Sequence, residues 1–419
     1  MKQIKVLWDK ISYEVMIFIV LQFHFLTGRA LDLQEWSAAW AAMDYSMGNG
    51  SRFLIGSIYR LFYGEYLADT VAYKYVAVGI MLTITVLTIA LGRLIRWGIK
   101  AAPECRNVII ATVVIYIAAP FSIAYVWNEQ NLGRLDVYMI LVVAVAILVG
   151  LEIKNIYFKM TLYTLLGVLG LAIHQGFAFL YYPVILCLMC YEVFQENRVQ
   201  IKSLIMAIIS GLVNVAVAVY FQFFSSVNFE SVEEMTQFVQ SRTNLKVEEY
   251  AIQLEYFGSI KYQLEDVTNV FFNGNEAPFV HLLIILCMLA PVLIIYGLIW
   301  RDVFCHRKQT GGKLLCSPYF YAVLSHLLFL PMFVIHVDWG RHLAPLLAMP
   351  IFIFLFFLAK KEASMVYAYE RMKTRAIKYP WFFVLTIAWL ASLDSFGARS
   401  FQNQADMLYN LFQYGFHIN

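Results

Sequence analysis

MTLYTLLGVLGLAIHQGFAFLYYPVILCLMCYEVF, residues 160–194, holds no Lys, Arg or Asp and a single acid, Glu192, near its end. As one helix it would run about 50 Å at ~1.5 Å per residue, against a bilayer hydrocarbon core of roughly 30 Å. The chain must therefore turn back within it. His174-Gln175-Gly176 is the one polar, flexible place to do so, and the stretch reads as two short helices in a hairpin. That hairpin sets Lys154 and Lys159 on the same side as Arg198 and Lys202, as the cytoplasmic bias of Lys and Arg requires.

Apolar windows of this kind recur along all 419 residues, of which 61% are hydrophobic and 14% charged. A soluble chain carries about 25% charge. The expectation is an all-α polytopic membrane bundle, one membrane domain over 1–419. About eleven spans fall near 11–28, 70–92, 107–127, 137–153, 160–173, 176–193, 203–223, 280–300, 314–336, 343–358 and 380–396. The first follows Lys2, Lys5 and Lys10 but meets no small-residue cleavage site, so it reads as a retained helix. This topology leaves about two thirds of the 31 Lys and Arg in cytoplasmic segments. It puts the N-terminus inside, the C-terminus outside, and the protein in a cell membrane, with a bacterial plasma membrane as the expected host. The net charge of +3 comes from short loops and indicates no nucleic-acid partner. None of the six cysteines lies in a segment assigned outside, so no disulfide framework is implied; Cys187-Leu-Met-Cys190 reads as lipid-facing packing.

Two external connections stand out. In the first loop, 29–69, MDYSMGNGSRFLIGSIYRL (43–61) sets Asp44, Arg52 and Arg60 among glycines and aromatics. A helix over 51–66 would bring Arg52, Gly56 and Arg60 to one face at i, i+4, i+8, an interfacial amphipathic helix whose glycine admits a close neighbour. The long loop 224–279 opens with Ser231-Val-Glu-Glu234, a capping box, and EEYAIQLEYFGSIKYQLEDV (248–267) reads as amphipathic helix. This loop is expected to lie on the outer surface as a helical cap.

Polar residues gather on the same side. Asn128, Glu129, Arg134 and Asp136 follow the third span, His174 closes the hairpin, and His336, Asp338, Arg341 and His342 fill HVDWGRH. Ionisable groups near a bilayer cost up to about 3 kcal/mol each unless they pair or line a wet cavity, so a functional cavity is the default expectation. Bland roles stand beside it. Asp44 could cap the following helix, Arg52 could anchor at headgroups, His174 could be a turn histidine, and Asp338 could pair with Arg341. No Walker loop, dinucleotide fingerprint, HExxH, GxSxG, DxD or metal-ligand spacing is present. No cofactor is expected, and a divalent cation has no motif behind it.

Such a cavity suits an anionic lipid-linked donor. Arg52, Arg60, Arg134 and Arg341, with His174 and His342, match phosphate chemistry. Asp44 is the candidate catalytic base, and Glu129 and Asp338 complete the substrate-binding set. In its outline the chain resembles the multi-spanning glycosyltransferases of the GT-C superfamily, and also the Wzy- and EpsG-like polysaccharide polymerases. The resemblance implies a catalytic acid in the first external loop, where Asp44 stands with Asp32 and Glu35 as competitors. It also implies polyprenyl-(pyro)phosphate-linked sugar donors, a glycan acceptor, other glycan-assembly proteins as partners, and external basic residues such as Arg52, His174, Arg341 and His342. A transporter or flippase of an anionic or lipid-linked substrate is the competing class, and a surface-glycan acyltransferase with His174 as base is a third.

Overall fold

The computed structural model describes residues 11–22, 33, 40–127, 132–195, 198–258, 264–265, 267–269, 278–335 and 339–393. The described chain is almost entirely helical. In chain order the helices are α1 Ile11–Gln22, α2 Phe53–Tyr63, α3 Asp69–Ala101, α4 Arg106–Ala118, α5 Asp136–Glu152, α6 Ile156–Ile173 and α7 Tyr182–Val193. They continue with α8 Ile201–Phe223, α9 Val232–Ser241, α10 Pro278–Gln309, α11 Pro318–Ser325, α12 Trp339–Ala359, α13 Ala363–Lys378 and α14 Pro380–Leu393. A two-residue strand pair, Phe194–Gln195 with Arg198–Val199, is the only sheet among the described residues.

Six helices among the described residues are long and apolar enough to cross a membrane, which makes this a multi-pass membrane protein. They are Asp69–Ala101, Pro103–Trp127, Ile156–Ile173, Ile201–Phe223, Leu283–Gln309 and Gly340–Ala359. Shorter apolar helices, among them Tyr182–Val193 and Pro318–Phe333, stand at other marked segments. Prolines shape several of these: Pro183 and Pro318 start helices, where a missing N–H costs nothing, while Pro291, Pro345 and Pro350 lie inside α10 and α12.

The hairpin is present as the sequence requires. α6 ends at His174, a single turn Phe177–Leu180 follows, and α7 returns. Lys159 and Glu192 close its open end at 2.5 Å. Around it, α3 packs on α5 and α12, α5 on α6, and α8 on α6. α12 is buried over nearly its whole length and is the axis of the bundle, whereas α8 exposes most of its surface and is peripheral. Cys187 departs from the lipid-facing expectation. It points inward against the hydroxyl of Ser325, because α7 is enclosed by α11 and α12. α13 was not foreseen; it buries Met365, Ala368, Tyr369 and Met372 against α10 and α4, and Arg375 chelates Asp302.

Beyond one end of the bundle the first loop and the long loop are knitted together. Gly48 bridges Val227, Asn49 N–H donates to Ser226 O at 2.9 Å, and Leu67 N–H donates to Arg242 O at 2.7 Å. Gly48 has φ +144°, and a Cβ there would lie 2.3 Å from Ser226 O, so only glycine permits this closure. The Ser231 hydroxyl caps α9 by accepting from Glu234 N–H, while the Glu234 carboxylate accepts from Glu230 N–H. Met235, Val239, Ala251 and Ile252 form a small apolar interior beneath this cap. The expected helix over 248–267 is shorter in the described residues: Glu249–Ile252, then a wider turn Gln253–Phe257.

Candidate functional site

α2 organises the polar residues at the cap end. Its apolar face is interrupted by Gly56, where a Cβ would lie 1.8 Å from Met43 O. The close neighbour admitted by that glycine is the backbone of the preceding segment. The helix starts two residues later than the spacing suggests. Arg52 is its N-cap, in the left-handed region at φ +77°, so its side chain leaves the helical face that Arg60 occupies. Arg52 and Arg60 are therefore separated by about 12 Å along the axis at ~1.5 Å per residue, and they enter two different networks.

In the first network, Asp44 caps the short turn Tyr45–Met47 and accepts from Ser46 N–H at 2.7 Å. Arg60 Nη1 stands 2.9 Å from both of its oxygens, and Arg242 Nη1 stands 2.6 Å from Oδ2. Arg242 also lies over the Phe238 ring at 4.3 Å. Burial pushes the Asp44 carboxyl up, but the hydrogen bonds from Ser46 and the charges of Arg242 and Arg60 outweigh it, and the group sits below its ordinary range. Such a carboxylate is a firm anion and a weak base.

The second network joins the hairpin turn, the first loop, the cap and the starts of α5 and α12. Arg52 pairs with Glu255 at 2.5 Å, both almost fully buried, with the guanidinium 4.7 Å over the Trp40 ring. Arg52 N–H donates to Ala172 O at 3.1 Å, Ser51 Oγ meets Gln175, and the Tyr256 hydroxyl donates to Ser51 O. Tyr256 stacks on Phe53 at 5.1 Å. Arg341 Nε reaches Asp136 Oδ1 at 3.2 Å and Oδ2 at 3.1 Å, and its Nη2 lies 3.4 Å from His174 Nε2. Gly176 N–H donates to His174 Nδ1 at 2.8 Å, so the neutral ring carries its proton on Nε2, and His174 and Arg341 present two N–H donors side by side rather than bonding to each other. Burial lowers the Arg52 guanidinium below its ordinary value, Glu255 opposes that, and the charge of Arg341 adds to it, so the two arginines share one field.

No family model, curated protein or solved structure matches this chain.

Of the residues singled out from sequence, then, the structure brings together Arg52, His174 and Arg341, and separately Asp44 with Arg60. Arg134 is half-buried in the turn into α5. His342 is buried edge-on to Phe333 at 5.8 Å, turned by its helical position away from its neighbour Arg341. Glu129 and Asp338, like Asp32, Glu35, Asn128 and His336, lie outside the described residues. Sequence reasoning placed Asp136 among the gathered polar residues without pairing it with Arg341, and it missed Glu255, which answers Arg52. It also missed Arg242. Glu255 and Arg242 belong to the cap, where an amphipathic pattern reads as a solvated face until a partner surface is known. Among the described residues no group of three or more His, Cys, Asp or Glu is arranged to hold a metal ion.

Proposed function

We propose that this chain is an integral membrane glycosyltransferase or polysaccharide polymerase, working at the cap end on polyprenyl-(pyro)phosphate-linked sugars in cell-surface glycan assembly. In this reading the chain crosses a bacterial plasma membrane about eleven times and the cap end is extracytoplasmic. One observation carries the proposal: two ion pairs, Arg52–Glu255 and Arg341–Asp136, with His174 beside Arg341, come from five separate segments and share one electrostatic field at the end of an apolar bundle. Burying such groups is expensive, and paired guanidiniums with an adjacent imidazole N–H suit the oxygens of a (pyro)phosphate. A donor phosphate would take Arg341 from Asp136, leaving that carboxylate beside the reacting centre to accept a hydroxyl proton. Asp44 serves as an anion that holds Arg60 and Arg242; to act as the base it must first be released by one of them.

The test is transfer itself. Protein in proteoliposomes is given a polyprenyl-pyrophosphate-linked sugar and a glycan acceptor, and the product is followed by mass spectrometry. Arg341→Ala is expected to lower transfer about 100-fold or more, while Lys373→Ala, at the opposite end, keeps it.

A second reading, transport or flipping of an anionic or lipid-linked substrate, is favoured by a different observation. The helices that build the cap-end network also carry charge at their far ends, where Lys159 meets Glu192 and Arg93 meets Glu152. Paired networks at both ends of a bundle suit two gates. Substrate that crosses a liposome without covalent change would decide for transport.

A further inference from the structure

The hollow beside α2 is distinct from the buried network, and its chemistry points to a different ligand. It is an open cleft of about 450 Å³, within the rough 300–1,000 Å³ range of ligand clefts. Asp44, Ser46, Ser57, Arg60 and Glu65 are its polar lining residues. Of its two acids, Asp44 is paired with both Arg60, which lines the hollow, and Arg242, which does not, so Asp44 and Glu65 nearly balance the two guanidiniums in charge. The hollow is thus close to electrically neutral. An anion would gain one edge of Arg60 and be repelled by Glu65, whereas an uncharged polyol finds acceptors and donors fixed in advance. Arg60 is held by Asp44 and by Ser46 Oγ at 2.9 Å, and Ser57 Oγ is held by Tyr45 N–H at 2.9 Å.

Two further features narrow the class. The Tyr45 ring lines the hollow and is 41% exposed, giving a sugar ring a flat apolar surface. On the other wall, Leu61 is 82% exposed and its neighbour Phe62 73%, on an amphipathic helix next to membrane-length helices. A hollow that mixes fixed polar groups with apolar lining, beside the exposed Leu61 and Phe62, fits a molecule with an uncharged sugar head and a hydrocarbon tail.

We infer that the hollow between Asp44 and Glu65 binds the neutral sugar head of a glycolipid, its tail lying along Leu61 and Phe62. This goes beyond the transfer reading, and it holds whether or not the bound glycolipid is then elongated. Within that reading it makes the hollow the acceptor side.

The experiment uses the full chain in nanodiscs and a dodecyl glucoside carrying a diazirine in its tail. After irradiation the labelled residues are mapped by mass spectrometry. Labelling is expected on residues 45–66 and to resist an excess of dodecyl phosphate. Tyr45→Ala keeps the Asp44 ion pairs and the backbone bond to Ser57, and should lower labelling about fivefold, or ~1 kcal/mol. Glu65→Gln removes one of the two negative charges, so dodecyl phosphate should then compete. Labelling elsewhere, labelling unchanged in Tyr45→Ala, or equal competition by dodecyl phosphate in the parent protein would each overturn the inference. Because labelling is read without turnover, its failure leaves the transfer assay to speak for itself.

Discussion

At one end of α2 a single carboxylate, Asp44, is gripped by two guanidiniums beside an open hollow; at the other, Arg52 pairs with Glu255 and Arg341 with Asp136 among the described residues, in a more enclosed setting. The residue types are the same, and the settings of Arg60 and Arg52 differ sharply. In the first, Arg60 keeps about a third of its side chain in solvent, so it can hydrate when Asp44 is removed, although Asp44 itself is buried. In the second, Arg52 and Glu255 expose 5% and 7%, and neither can lose the other cheaply. Residues eight apart on one helix thus serve two tasks: a clamp that shapes a surface hollow, and a network that stores charge inside an apolar bundle.

The sharpest way to break this comparison is Glu255→Ala. It strands the Arg52 charge in a buried site, and a loss of about 3–5 kcal/mol in unfolding free energy is expected. Glu255→Ala costing no more than Asp44→Asn in denaturant titrations would erase the distinction. Gly56→Ala is next. Its new Cβ meets the backbone oxygen of Met43, so α2 must shift, at about 1–3 kcal/mol, and both ends of the helix should loosen together in hydrogen exchange.

Asp44→Asn should cost less, about 1–2 kcal/mol, because the guanidiniums it releases can reach water. It also has a pH signature. The folded carboxyl lies below its ordinary range, so its stabilisation is present above the unfolded value of about 3.9 and fades as pH falls through the lower folded value. Unfolding followed from neutral to strongly acidic pH should show this loss in the parent protein and not in Asp44→Asn. The smallest effect calibrates the scale: Lys373→Ala breaks the exposed pair with Glu104 and should change stability by less than ~0.5 kcal/mol.

The architecture at the level of helices was legible because hydrophobic length against bilayer thickness is a one-dimensional constraint. The turn at His174-Gln175-Gly176 followed from the same arithmetic, and the cap of α9 followed from Ser231 and Glu234, whose contacts are local. α13 escaped notice because its apolar residues are sparse and its charges resemble a cytoplasmic loop; only the surfaces of α10 and α4 give that pattern a face to bury.

The candidate site divides along the same line. Composition alone determined that Asp44, Arg52, His174 and Arg341 are costly residues for a membrane protein and need partners. Which partner each has was decided by tertiary structure, because Asp136 and Arg341 are separated by 205 positions and Asp44 and Arg242 by 198. The left-handed turn at Arg52 shows why: a backbone angle at the N-cap, where Ser51 and Arg52 dock on the hairpin, takes Arg52 off the helical face that Arg60 occupies. Helical periodicity assumes that the helix continues, and a cap residue is where that assumption ends.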